Sequence, residues 1–124
     1  MTHPTTEQRE LLELAAKAAG YDTSHPMNRE RMELDPPVPS LWIRYEGGTF
    51  ATGWNPLESD ADAFRLAVKL NLSVLLYPGS HVDVVAENIT EDADRFAAEG
   101  LGSDPYASTR RAIVRAAAAL TQGA

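Results

Sequence analysis

Cysteine is missing altogether from these 124 residues, which removes disulfides and thiolate metal sites from consideration. Basic charge is short as well. Eleven Lys and Arg against 18 Asp and Glu leave a net charge of −7. That is the wrong sign for direct binding to nucleic-acid phosphates, whose affinity comes largely from counterions released by a basic surface. Long hydrophobic runs are lacking: none approaches the roughly 20 residues that a membrane-spanning helix needs. The opening MTHPTTEQRE has no apolar signal-peptide core. These absences predict a cytoplasmic protein without membrane contact. Motifs of chemistry are equally scarce, with no HExxH, nucleophile elbow or calcium loop. Gly47-Gly48 lacks the lysine and the strand-loop-helix setting of a phosphate loop and reads as a turn. No cofactor or metal is expected.

What is present reads as one globular domain over residues 1–124, with 44% hydrophobic and 23% charged residues. TTEQRELLELAAKAAG predicts a first helix near residues 6–19. Thr5 and Gln8 have capping-box spacing, Leu11, Leu12, Leu14, Ala15 and Ala18 share an apolar face, and Gly20 ends the helix. Residues 21–40 contain Pro26, Pro36, Pro37 and Pro39 with little periodicity, which predicts an irregular surface connection. So long a loop is a natural place to look for a partner. LWIRYEGGTFATGW reads as a hairpin turning at Glu46-Gly47-Gly48, with Pro56 ending its second strand.

After Pro56, Ser59 and Asp62 fit an N-cap pattern, and Asp60 and Asp62 suit the positive end of a helix dipole. The helix is expected from Asp60 to Asn71, with Ala63, Phe64, Ala67 and Val68 at helical spacing. A second hairpin follows, turning at Pro78-Gly79. Its nearly continuous apolar first strand, Val74 to Tyr77, suggests a central position covered on both faces. Thr90 to Gly102 reads as a short helix or an ordered loop. Asp104-Pro105 caps and opens a last, alanine-rich helix whose expected buried face is Tyr106, Ile113, Val114, Ala117 and Leu120. The order helix, hairpin, helix, hairpin, helix predicts an α+β fold: a three-layer α-β-α sandwich of three helices on a four-stranded antiparallel or mixed sheet.

Trp54, Asn55 and Pro56, then Asp60, Asp62 and Ala63, then Asp104, Pro105, Ala107, Arg110, Arg111 and Ala112 resemble in order the pattern of the phage ABA sandwich domain family, small proteins of tailed bacteriophages and prophages. The likeness covers about residues 41–121. It implies a sandwich fold and a phage or prophage origin, and it implies no catalytic residues, because the family has no established activity.

Enzyme constellations are thin. Asp60 and Asp62 stand two apart on a helix and point in different directions, so a helix N-terminus explains both. Ser80, His81 and Asp83 can be assembled on paper into a nucleophile and base, yet they share one hairpin tip where side chains are solvated. Binding is better supplied with candidates. Trp54 reads as the core anchor of its turn, whereas Trp42 alternates with Ser40 and Arg44 and is as suited to a recognition surface as to a core. Arg110 and Arg111 follow an acidic stretch containing Glu91, Asp92 and Asp94. These charges either pair with one another or meet a partner.

The candidate interaction surface is therefore Trp42, Arg44, Arg110, Arg111, Glu91, Asp92 and Asp94. The expected function is a non-enzymatic accessory protein that binds a host or phage protein in the host cytoplasm, with a homodimer as a further option. Two alternatives stand beside it: an acidic DNA mimic that inhibits a host defence protein, and a small-substrate enzyme without a recognisable motif.

Overall fold

In the computed structural model, residues 4–86 and 96–122 are described. The first helix, α1 (Pro4–Ala18), starts ahead of Thr5, which therefore lies inside the first turn and not at the cap. Its end follows the sequence. Gly20 adopts φ +80°, its N–H donates to the Lys17 carbonyl, and the Tyr21 N–H donates to that of Ala16. Those two bonds make a Schellman motif, which satisfies carbonyls the helix leaves open.

The connection at 21–40 is not wholly irregular, because it contains the short helix α2 (Met27–Met32). Two buried polar side chains pin it. Arg9 of α1 donates to the carbonyls of Asn28 (2.5 Å), Pro39 (2.9 Å) and Val38 (3.0 Å). Asn28 donates to the carbonyls of Thr23 and Trp42 and accepts from the Trp42 N–H at 2.7 Å. The prolines kept this stretch from forming longer elements, and the polar tethers supply the order that apolar periodicity would otherwise show.

β1 (Leu41–Arg44) and β2 (Phe50–Trp54) pair antiparallel, with an irregularity between Leu41 and Ile43. The turn between them is the expected one, with Gly47 and Gly48 both at positive φ. α3 (Asp60–Lys69) leads into β3 (Leu72–Tyr77), β4 (His81–Ala86) and β5 (Phe96–Gly100), and α4 (Pro105–Gln122) closes the described chain.

The fold is α+β, with corrections to its detail. There are two antiparallel sheets, β1-β2 and β3-β4-β5, in place of one four-stranded sheet, and four helices in place of three among the described residues. Residues 96–100, expected in a short helix or an ordered loop, form a strand because five residues pair with β4 from His81↔Gly100 to Val85↔Phe96. Ladder bonds from a neighbouring strand override the helix preference of alanine. β3 is an edge strand, and β4 takes the centre.

α4 is the hub. It packs on α1, on α3 and on the helix-facing side of β4 and β5, burying Ala112, Val114, Ala116 and Ala117 against Leu12, Ala15, Ala16, Leu66, Val82 and Val84. Trp54 is buried in this core, with Tyr21 edge-on to it at 5.8 Å. Tyr106, expected inside, stands outside. It belongs to the first turn of α4.

Candidate functional site

The stretch WNPLESD sets the position of α3 through local bonds. The Asn55 side chain accepts from the Leu57 N–H, Ser59 accepts from the Asp62 N–H as the N-cap, and Asp62 reaches back to the Asn55 N–H. Arg110 of α4 then ties the turn down, donating to the Leu57 carbonyl at 2.8 Å and to Asp60 at 2.6 Å. At the start of α4, Asp104 accepts from the Tyr106 and Ala107 N–H groups. Both helix starts are thus fixed by their own capping side chains, and the acids there have structural partners.

Between these two anchored helices lies a groove of about 1080 Å³. Its floor is Leu72, Val74 and Leu76 of β3 with Ile113 of α4, and its walls carry Phe64 and Val68 of α3 opposite Tyr106 of α4. Strand alternation places Leu72, Val74 and Leu76 on the side of the sheet that also carries Val82, Val84 and Ala97, which are buried beneath α4. On that side of β3, Leu72 and Val74 are partly buried against the core, and Leu76 is left exposed. Phe64 (69%), Val68 (61%), Leu76 (58%) and Tyr106 (71%) are exposed, an apolar concentration beyond the scattered residues usual on a surface. The charged groups lining the groove are Asp60 and Arg110, which are bound to each other. Such a cavity can take up apolar surface.

The residues singled out from the sequence are dispersed. Trp42 is half-buried against His25, with ring centroids 4.5 Å apart. Arg44 lies over the Phe50 ring at 4.5 Å, and Phe50 in turn is edge-on to His25 at 6.2 Å. Trp42 and Arg44 therefore share an aromatic patch on the two-stranded sheet. Arg110 pairs with Asp60 at the start of α3 and so belongs to a different part of the chain from that patch. Arg111 pairs with Glu99 of β5 at 3.0 Å, and Arg115 bonds the same carboxylate. Glu99 thus pairs with two bases of the last helix. Glu91, Asp92 and Asp94 lie outside the described residues.

Phe64, Val68 and Tyr106, which helical spacing predicts inside, and Leu76, which the continuous apolar strand predicts covered, are exposed instead. A signal existed for α3, where Ala63, Phe64, Ala67 and Val68 together with Leu66 and Leu70 make an apolar arc wider than one packing face requires.

At the second hairpin the structure brings Ser80 Oγ to 2.8 Å from His81 Nδ1, while His81 Nε2 stands 3.7 Å from Asp83, longer than a hydrogen bond. Tyr77 stacks on the imidazole at 4.5 Å. Ser80 sits at the turn, His81 opens β4 and Asp83 lies within it, and none of the three lines the groove. Among the described residues no three His, Asp or Glu side chains gather as a metal site, and no helix is long and apolar enough to cross a membrane. In comparisons with protein families, curated proteins and solved structures, nothing matches this chain.

Proposed function

We propose that the protein works as a non-enzymatic binding module whose docking surface is the groove between α3, β3 and α4. The observation that carries this reading is the apolar lining itself: four large side chains more than half exposed around one concavity whose helices are rigidly capped on either side. Burying such side chains stabilises a complex by ~1.5–3 kcal/mol each when fully covered, before the cost of association. Preorganised walls reduce that cost. The likeness of the Trp54–Ala63 and Asp104–Ala112 segments to phage ABA sandwich proteins adds a setting to the proposal, that of a phage or prophage accessory protein acting in the host cytoplasm. Carboxylates at Asp60, Asp62, Glu99 and Asp104 are engaged within the chain, which gives the DNA-mimic alternative no support from these four groups.

The test compares wild-type protein with Phe64→Ser. At dilutions where the protein is monomeric, an environment-sensitive apolar dye should bind the wild type and lose most of its signal on the variant. Proteins captured by tagged wild type from a bacterial lysate should stay bound in high salt and disappear with the variant, since apolar contacts are not screened. Retention by Phe64→Ser, or loss of every captured protein in high salt, would overturn the reading.

A further inference from the structure

The groove does not end at its floor. β3 is the edge of its sheet, so the strand that carries Val74 and Leu76 on the groove side also offers a backbone edge along Val74–Tyr77 to which the described residues add no strand. Its opposite side carries Leu75 and Tyr77, both about half exposed. Exposed edges are ordinarily guarded by charge, proline or a bulge. LSVLLY has no charge and no proline, and its register with β4 is unbroken from Leu72↔Ala86 to Tyr77↔His81. An unguarded apolar edge continuous with an apolar groove is one surface, and it asks for an occupant that supplies a strand and apolar side chains together.

We propose that this occupant is a second copy of the chain, joined by antiparallel pairing of β3 with β3 across a twofold axis. The inference rests on the reading of the groove as a docking surface and names what docks there. Three arguments favour self-pairing. First, an uncharged strand meets its own copy without like-charge repulsion, whatever the net charge of −7 does elsewhere.

Second, symmetry and side-chain alternation agree on a register. A twofold axis perpendicular to the sheet keeps the helices of both copies on one face, so facing residues must belong to the same face and the axis must pass through a residue. Placed at Leu75, it sets Leu75 opposite its own counterpart and Val74 opposite Leu76 of the other copy, matching apolar with apolar. The two groove floors then run together, and Phe64 and Val68 of each copy flank a shared core.

Third, the exposed apolar area is of the right order. Given the ~150–250 Å² of an aromatic side chain, the exposed parts of Phe64, Tyr77 and Tyr106 offer about 400 Å² per copy, half of the ~800 Å² per partner of a standard interface. Val68, Leu75 and Leu76 and the paired backbone supply further area.

The experiment is light scattering coupled to size exclusion on the wild type, Leu75→Lys and Leu75→Glu. Leu75 lies on the side of β3 away from the groove, so these variants break the pairing and leave the groove lining intact. The wild type should run at twice the monomer mass, and each variant alone should run as a monomer because like charges face each other across the axis. An equimolar mixture of the two should recover the dimer, which also shows that both variants are folded. Monomeric wild type at its highest soluble concentration, or a dimer that persists in Leu75→Lys, would overturn the proposal. The apolar dye separates the two levels of inference. If a monomeric wild type binds dye and Phe64→Ser does not, only the second copy is excluded. If dye binding ignores Phe64→Ser, the docking groove falls with it.

Discussion

At the scale of single residues, the least expected are Arg9 and Asn28. Trp42 sits where the β1-β2 ladder skips, so its N–H and C=O need partners that β2 does not give, and the Asn28 side chain supplies both. An amide is the one uncharged side chain with a donor and an acceptor in the required arrangement. Asn28→Ala leaves the Trp42 N–H and two carbonyls without those partners, and urea unfolding should show a loss of about 2–4 kcal/mol. Arg9 is held below the ordinary arginine value by burial, which Glu13 partly counters. It remains a cation whose planar donors suit several carbonyls at once, a geometry that lysine cannot copy. Nothing in the sequence marks either residue: one Arg on a helix and one Asn in a polar stretch look like solvated positions until the chain at 38–40 comes back beside them.

Elements were legible where their signals are local. Ser59 and Asp62, Asp104-Pro105, Gly20 and Gly47-Gly48 each determine a start, an end or a turn through bonds spanning a few residues, and each does so in the structure. β5 and α2 were not legible in that way. FAAEG carries no strand propensity of its own and is a strand because β4 lies beside it. The packing of α1 on α4 is a case in between. The alanines of the last helix predict close approach, and Ala112, Ala116 and Ala117 are indeed completely buried. Ala117→Leu should therefore overpack that region and lower stability by about 1–3 kcal/mol in thermal melts, although leucine is a good helix former.

At the scale of the whole molecule, stability and binding reside in different places. In a single copy Phe64 is mostly exposed, so in the monomeric Leu75→Glu background Phe64→Ser should change unfolding free energy by about 0.5 kcal/mol or less even as it removes the groove wall. Differential calorimetry of the variant checks that separation. The region joining α1, the first hairpin and α3 also gives the molecule an alkaline limit. Burial raises the pKa of Tyr21, with Tyr45 adding to the shift, and burial raises that of Tyr45, with Asp62 adding to it. A phenol whose folded pKa is raised favours folding fully below its unfolded value, near 10, and that contribution is lost as pH rises through the folded value. The melting temperature should be insensitive to these groups below about pH 9 and should fall above about pH 10. Tyr21→Phe should flatten the fall.

The sequence by itself determined the α+β class, the caps of α3 and α4, the turns and the burial of Trp54, because each depends on composition or on partners within a few positions. Tertiary structure alone decided that β3 lies at an edge, that residues 96–100 form a strand and that Arg9 and Asn28 are interior. It alone decided that Phe64, Val68, Leu76 and Tyr106 surround one groove. These four are distributed over 43 positions of chain, and their apolar character is the same whether they face a core or water. Which of the two they face is set by how α3, β3 and α4 pack together, a property that no local pattern encodes.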